Sequence, residues 1–327
     1  MTRWTAADIP SQSGRSAVVT GTGGLGYEDS LALARAGCRV IVAGRNPDKG
    51  GEAVARIRAE VADADVRFEE LDLANLASVR AFADRMKAQD RLDLLINNAG
   101  VMVPPARKTT HDGFELQFGT NHLGHFALTG LLLPLLRRSE RARVVSLSSI
   151  AAPRGAIDFE NLDAGRSYDA MSAYSQSKLA CLMFAFELQR LSDARGWNLA
   201  SIAAHPGVAR TDLLHNGPGR TSIHGLVRTC LPFLFQPVAQ GALPTLFAAT
   251  ASEAVPGGYY GPHRLGETRG YPSAAKVPPQ ARDQAVAARL WEVSEALSGV
   301  RWPTGPEPRR NREPSPSVSM RPRAASE

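Results

Sequence analysis

Cysteine is scarce in this chain. Cys38, Cys181 and Cys230 lie far apart, are odd in number and form no CxxC pair. That argues against a disulfide framework and a zinc site, and it fits a reducing compartment. Aromatic residues make up only 6% of the chain, so Ala, Leu, Gly and Val must fill the interior. Small aliphatic side chains suit helices packed on a parallel sheet. No apolar run approaches the roughly 18 residues of a membrane-spanning helix. The best candidate, Leu226–Phe235, is short and broken by Arg228 and Pro232. The N-terminal MTRWTAADIPSQSGR has no apolar core of the signal-peptide kind. We expect a cytoplasmic protein without a membrane span. None of the seven histidines stands in an HExxH pair. His122 and His125 share an apolar stretch with no supporting acid, which reads as a packed helix and not as a metal site.

What is present begins with a 43% hydrophobic fraction, enough for a sizeable core. The net charge is +6, but from Arg301 onward six arginines face three glutamates, so half of it belongs to the tail. The body is close to balance, and no nucleic-acid partner is inferred from the charge. From Pro303 the composition turns to Pro, Arg, Ser and Glu. Such a segment cannot bury apolar area, so residues 303–327 read as a disordered tail and 1–302 as one domain.

Six short apolar runs are expected as strands: Ser16–Thr20, Arg39–Ala43, Val66–Glu70, Asp93–Ile96, Arg143–Leu147 and Leu199–Ala203. Most are two-sided apolar, as strands covered on both faces should be. Between them, Leu25–Ala36, Gly51–Val61 and Leu76–Ala88 carry apolar residues at helical spacing. This alternation predicts an α/β fold with a doubly wound parallel sheet of the Rossmann type, in a single domain. The segment 211–237 follows the sixth strand, where a substrate-covering element sits in such a sheet.

The expected strand ends carry the chemistry. Thr20-Gly21-Thr22-Gly23-Gly24-Leu25-Gly26 joins the first strand to a helix. Glycines let a backbone approach a pyrophosphate, and a helix N-terminus offers it free amides. The second strand ends in Gly44-Arg45, with no acid for a ribose 2′-hydroxyl. Arg45 suits a 2′-phosphate, which favours NADP(H) and leaves NAD(H) open. Tyr174 and Lys178 are four residues apart, which puts phenol and ammonium on one helix face. A phenol ordinarily keeps its proton to about pH 10, and a neighbouring cation favours the phenolate. Asn97-Asn98-Ala99-Gly100, Ser146-Leu147-Ser148-Ser149 and His205-Pro206-Gly207 close three further strands, and Asn121 lies in Asn121-His122-Leu123-Gly124-His125-Phe126.

With these motifs in this order, residues 13–300 resemble the short-chain dehydrogenases/reductases, most of all their retinol-dehydrogenase-like branch. The resemblance implies Tyr174 as catalytic acid and base, Lys178 as its partner and holder of the nicotinamide ribose, Ser149 as the group polarising the substrate oxygen, and Asn121 as support for a relay water. It implies cofactor contacts at Gly21, Gly24, Leu25, Gly26, Asp72, Leu73, Asn98, Ala99, Gly100, Pro206, Gly207, Val208 and Thr211. The implied activity moves a hydride between a nicotinamide and an aldehyde, ketone or alcohol, and the Leu/Phe-rich stretch after Thr211 points to an apolar small molecule. The wide apolar faces near Phe114–Arg137 and Met171–Arg195 fit either a homodimer or simple core packing. The connection Ala152–Met171, with Arg154, Asp158, Phe159 and Tyr168, is long enough to wall the cleft.

The glycine turn departs from the family. Only Thr22 and Gly23 separate Gly21 from Gly24, one residue fewer than usual. Two readings follow: a repacked turn that still binds cofactor, or a non-catalytic protein on the same fold.

Overall fold

Buried β-branched runs pair into the sheet, and each helix covers the crossover between two of them. The computed structural model describes residues 3–209 and 236–304. The strands are β1 (Ser16–Thr20), β2 (Arg39–Gly44), β3 (Val66–Glu70), β4 (Leu94–Asn97), β5 (Ala142–Leu147), β6 (Leu199–Ala204), β7 (Tyr259–Arg264) and β8 (Arg269–Ala274). The first six lie within one residue of their expected ends. The last two, a hairpin, were not expected. The helices are α1 (Gly24–Arg35), α2 (Pro47–Glu60), α3 (Leu76–Met86), α4 (Gly124–Leu136), α5 (Ala170–Arg195), α6 (Val238–Thr250) and α7 (Gln284–Ser298). Thr211, Cys230, nearly all of 211–237 and residues 305–327 lie outside the described residues.

The sheet order is β3-β2-β1-β4-β5-β6-β7-β8. Every pairing from β3 to β7 is parallel, and only β8 runs antiparallel. Strand order reverses between β1 and β4, so the crossovers leave to opposite faces there. A crevice must open at the carboxyl ends of those two strands.

Both sheet faces are covered. One carries α1, α2 and α6 through side chains such as Val19, Val42, Ile57, Ile202 and Leu246. The other carries α3, α4 and α5 through Val18, Ile41, Phe82, Leu132 and Leu188. α7 then packs on α4 and α5. Its Trp291 stacks on Phe184 at 5.7 Å, and Trp302 meets Trp291 at 4.6 Å, Phe126 at 5.4 Å and Trp197 at 6.0 Å. The apolar faces of α4 and α5 are therefore covered in good part by the chain's own C-terminal helix. No described helix is long and apolar enough to cross a membrane.

One buried group runs against this apolar order. Asp29 on α1 is completely buried, and neither of its carboxylate oxygens has a partner among the described residues. Burial, reinforced by Glu28, pushes its proton affinity well above the usual carboxylate range. A raised folded-state value means the charge adds no cost below the ordinary aspartate range near pH 4 and a growing one as pH rises above it. Asp29→Asn is therefore expected to stabilise the fold by about 1–3 kcal/mol at pH 7 and 8 and to converge with the parent near pH 4, as read from urea melts.

Candidate active site

The crevice at the switch point is a cleft of about 780 Å³. Its floor begins at Gly21, whose amide donates to the Ala43 carbonyl at 2.7 Å. Gly21 has φ +104, a conformation that side chains rarely adopt, and a Cβ there would stand 2.8 Å from Asn98 Nδ2. A Cβ on Gly26 would stand 2.5 Å from the Gly21 carbonyl. These two positions accept only glycine. The N-cap of α1 is Gly23, which offers no side-chain bond, so the first amides of α1 stay free. The turn is one residue shorter than the family pattern, yet Gly21 to Leu25 all line the cleft.

The neighbouring wall is pinned to this turn. Asn98 Nδ2 donates to the Thr20 carbonyl at 2.7 Å. The amides of Asn98 and Ala99 both donate to Thr20 Oγ1, at 2.9 and 3.0 Å. Asn98, Ala99 and Gly100 line the cleft with Asp72 and Leu73. Asp72 Oδ1 accepts from the Ala74 amide at 2.9 Å, which holds the carboxylate in place. At the β2 end, Arg45 lies exposed on the rim, and Lys49, Glu52 and Arg56 of α2 line the same corner. Arg56 lies 4.0 Å above the Tyr27 ring.

The opposite wall holds the titratable pair. Asp169 caps α5 by accepting from the Ser172 amide at 2.7 Å, which places Tyr174 and Lys178 in its second and third turns. Both are buried and both line the cleft. Lys178 Nζ donates to the Leu147 carbonyl at 3.0 Å and lies 6.0 Å from the centre of the Tyr174 ring. Ser148 Oγ donates to the Lys178 carbonyl at 2.8 Å, so the end of β5 and α5 are fixed together. Ser149 Oγ accepts from the Ala151 amide at 3.1 Å and faces the cleft. A serine hydroxyl in that position keeps its own proton for another acceptor.

Asn121 is placed differently from the other expected catalytic residues. It is fully buried and absent from the cleft wall. Its Oδ1 accepts from the Val101 amide at 2.8 Å, and its Nδ2 donates to the Val101 carbonyl and to Ser177 Oγ, each at 3.0 Å. Its carbonyl, too, is spoken for: Cys181 Sγ donates to it at 3.1 Å and His125 Nδ1 lies at 3.0 Å. The side chain acts on the wall by clasping Val101. His122 Nε2 pairs with Ser294 Oγ at 2.8 Å, so neither histidine is arranged as a metal ligand. Of the long 152–171 connection, Arg154 and Met171 reach the cleft, while Tyr168 donates to the Pro104 carbonyl and Phe159 lies under Arg289. Asp158, Phe159 and Tyr168 do not line it.

Pro206, Gly207 and Val208 close the far end. What holds them was not anticipated. The Val208 amide donates to the Thr268 carbonyl at 2.8 Å, and a Cβ on Gly207 (φ +63) would press to 2.4 Å of the same carbonyl. His205 Nδ1 accepts from the Gly207 amide at 3.2 Å, and Nε2 donates to Glu267 at 3.0 Å. Glu267, at the β7–β8 turn, also accepts from the Lys276 amide at 2.8 Å and adopts φ +64, a strained value for a side-chain-bearing residue. The hairpin tip is thus a clamp on the 205–208 loop.

Several comparisons bear on this geometry. A family model for short chain dehydrogenase matches residues 15–218. The chain belongs to the short-chain dehydrogenase family. Mouse retinol dehydrogenase 13 is 41% identical over 304 residues, covering 90% of this chain and 86% of the relative. Mouse polyprenol dehydrogenase is 42% identical over 302 residues, covering 89% and 86%. A crystal structure from Mycobacterium paratuberculosis is 41% identical with a TM-score of 0.75, covering 92% of this chain and all of that one. Pseudomonas aeruginosa RhlG, solved with NADP, is 25% identical with a TM-score of 0.60, covering 76% and 94%. This dehydrogenase therefore falls in the retinol-dehydrogenase-like branch and is an NAD(P)-dependent oxidoreductase of alcohols and carbonyls. A non-catalytic reading of the short glycine turn finds no support. The residues also fit a dinucleotide: two glycines where a Cβ would collide, an uncapped helix N-terminus, and a cleft long enough to join them to Tyr174.

The clamp can be tested. Hydrogen bonding to His205 holds the Glu267 carboxyl below its usual range. A depressed folded-state value adds stability above the ordinary glutamate range near pH 4.3, and that stability is lost as pH falls through the folded value. Glu267→Ala is expected to cost about 1.5–3 kcal/mol at pH 7, with the difference from the parent shrinking in acid, as measured by urea melts.

Proposed function

We propose that this dehydrogenase uses NADP(H) in preference to NAD(H) and reduces the aldehyde of a long apolar molecule, or oxidises the matching alcohol. The observation that carries this reading is the placement of Ser149, Tyr174 and Lys178 on one wall of the cleft that begins at the free N-terminus of α1.

Each residue has a task. The amides of Gly21 to Leu25 would meet the pyrophosphate, as free helix N-termini do. Asp72, Leu73 and Asn98 to Gly100 would border the adenosine, Lys178 the nicotinamide ribose, and Pro206 to Val208 the nicotinamide amide. When bound, the nicotinamide supplies or takes the hydride. Ser149 holds the substrate oxygen with the proton that the Ala151 contact leaves free. Tyr174 delivers a proton to that oxygen as its negative charge develops. The Lys178 ammonium faces the charge left on the phenol oxygen, and attraction at such range is strong in a site screened from water.

Preference for NADP(H) is supported by the β2 end. Gly44 stands where an acid would bind a ribose 2′-hydroxyl, and Arg45, Lys49 and Arg56 gather positive charge at that corner. An apolar substrate is supported by Val101, Met102, Ile150 and Met171, which line the other end. The named substrates of the two mouse relatives, retinol and polyprenol, are both long isoprenoid alcohols.

Titration with NADPH and NADH, followed by nicotinamide fluorescence, is expected to show tighter NADPH binding. Arg45→Ala should weaken NADPH by about 10-fold or more and leave NADH nearly unchanged. Equal losses for both, or none, would remove Arg45 from this role. With all-trans-retinal as the carbonyl probe, Tyr174→Phe should lower kcat by about 10²–10⁴-fold while NADPH binding persists. Retained turnover would overturn the acid–base assignment.

A further inference from the structure

We infer that His125 is a positioning residue: it couples the cofactor wall at Asn98 and Ala99 to the turn that holds Asn121, through a single ordered chain of hydrogen bonds. The inference rests on the cofactor reading above.

His125 is buried in the first turn of α4, directly after a π-helical turn at Phe118–Leu123 that carries Asn121. Helix turns of that kind are rare and gather at functional sites. The Nδ1 atom lies 3.0 Å from the Asn121 carbonyl oxygen. A carbonyl only accepts, so Nδ1 carries the proton. Burial lowers the proton affinity of this imidazole to about 4, so the ring is neutral at physiological pH and holds one proton only. Nε2 must then accept. Its neighbour is Thr20 Oγ1 at 3.0 Å. The Thr20 hydroxyl has one proton to give, and the Ile96 carbonyl at 3.2 Å competes for it from further away. Its lone pairs receive the amides of Asn98 and Ala99.

Every donor in this chain is therefore assigned. The Asn98 and Ala99 amides donate to Thr20, Thr20 donates to His125, and His125 donates to Asn121. From Asn121 two further paths lead back to the cleft. The side chain clasps both polar atoms of the Val101 backbone. Nδ2 also donates to Ser177 Oγ, which in turn donates to the Tyr174 carbonyl at 2.8 Å. The result is a belt behind the cleft, joining the end of β1, the loop after β4, the π-helical turn and the Tyr174 turn of α5. None of the belt atoms on His125 or Asn121 faces the cleft. Their effect is to make the position of one wall depend on the other. Chains of hydrogen bonds in a buried site polarise one another in the same direction, which favours such dependence.

A core histidine with a merely structural role would change stability and nothing else. The test therefore reads coupling. Amide hydrogen exchange of the full chain is followed by mass spectrometry with and without saturating NADPH. In the parent, NADPH is expected to slow exchange both in residues 98–103, which it would touch, and in 118–124, which lie behind the wall. In His125→Phe, which keeps the ring and removes both bonds, protection should persist at 98–103 and disappear at 118–124. NADPH affinity should fall by about fivefold, the net worth of about one hydrogen bond. Should His125→Phe fail to fold, Thr20→Val breaks the same chain from its other end and, because it also releases the Asn98 and Ala99 amides, should lose NADPH protection at 118–124 together with weaker protection at 98–103. Thr20→Ser keeps the hydroxyl and should restore the response. Unchanged NADPH protection at 118–124 in His125→Phe or Thr20→Val would overturn the inference, as would a parent whose 118–124 segment does not respond. A parent that binds no NADPH would overturn the cofactor reading and this inference with it, before any variant is made.

Discussion

The molecule depends on the place where strand order reverses between β1 and β4. Two strands that lie side by side send their crossovers to opposite faces, and the gap between them has to be held at a fixed width. Thr20 holds it. Its carbonyl takes the Asn98 side chain and its hydroxyl takes the Asn98 and Ala99 amides. Gly21 and Gly26 let the glycine turn come within contact of the same Asn98. The free N-terminus of α1, the adenosine wall and the α5 wall all take their positions from this junction. A turn one residue shorter than the family pattern is tolerated because the junction, and not the turn's length, sets where the backbone goes.

Much of this was legible in the residues. Six parallel strands could be read because all are short and most are two-sided apolar. The strand-end motifs could be read because a parallel sheet sends them all to one edge, so Ser149, Tyr174 and Lys178 meet although 25 to 29 positions separate the serine from the pair. The hairpin β7–β8 was not legible. Pro262 and Pro272 stand opposite each other in it, and proline ordinarily argues against a strand. It is tolerated here because β8 is an edge and Pro262 lies past Tyr260, the last residue of β7 paired to β6. The partnership of His205 with Glu267 was hidden for a related reason. It joins residues 62 positions apart whose nearness exists only once the hairpin is folded. Asn121 illustrates a third limit: its motif announced its importance, but only coordinates show that it works from behind the wall.

The cleft is thus fixed from three sides by different kinds of contact. Backbone amides on one hydroxyl fix the cofactor wall. A capped helix and the Ser148–Lys178 bond fix the acid–base wall. A hairpin turn tied by the His205–Glu267 hydrogen bond fixes the far end. The last two rest on carboxylates, Asp169 and Glu267, that hydrogen bonds hold below their usual range, so acid should loosen those two before the cofactor wall.

Trp302 has a consequence for how the protein is made. It sits at the meeting point of Phe126, Phe184, Trp197 and Trp291, four aromatic side chains drawn from three helices and the loop before β6. At about 5–20 residues per second, a ribosome spends something like 15–60 s on the preceding 300 residues. Through that time the strands, the glycine turn and the Tyr174 helix are all synthesised, while the apolar faces of α4 and α5 lack their final cover. The cofactor half can take shape early. Its outer wall closes only when the last tryptophan arrives, and a chain cut just before it would expose aromatic surface to any other nascent copy nearby.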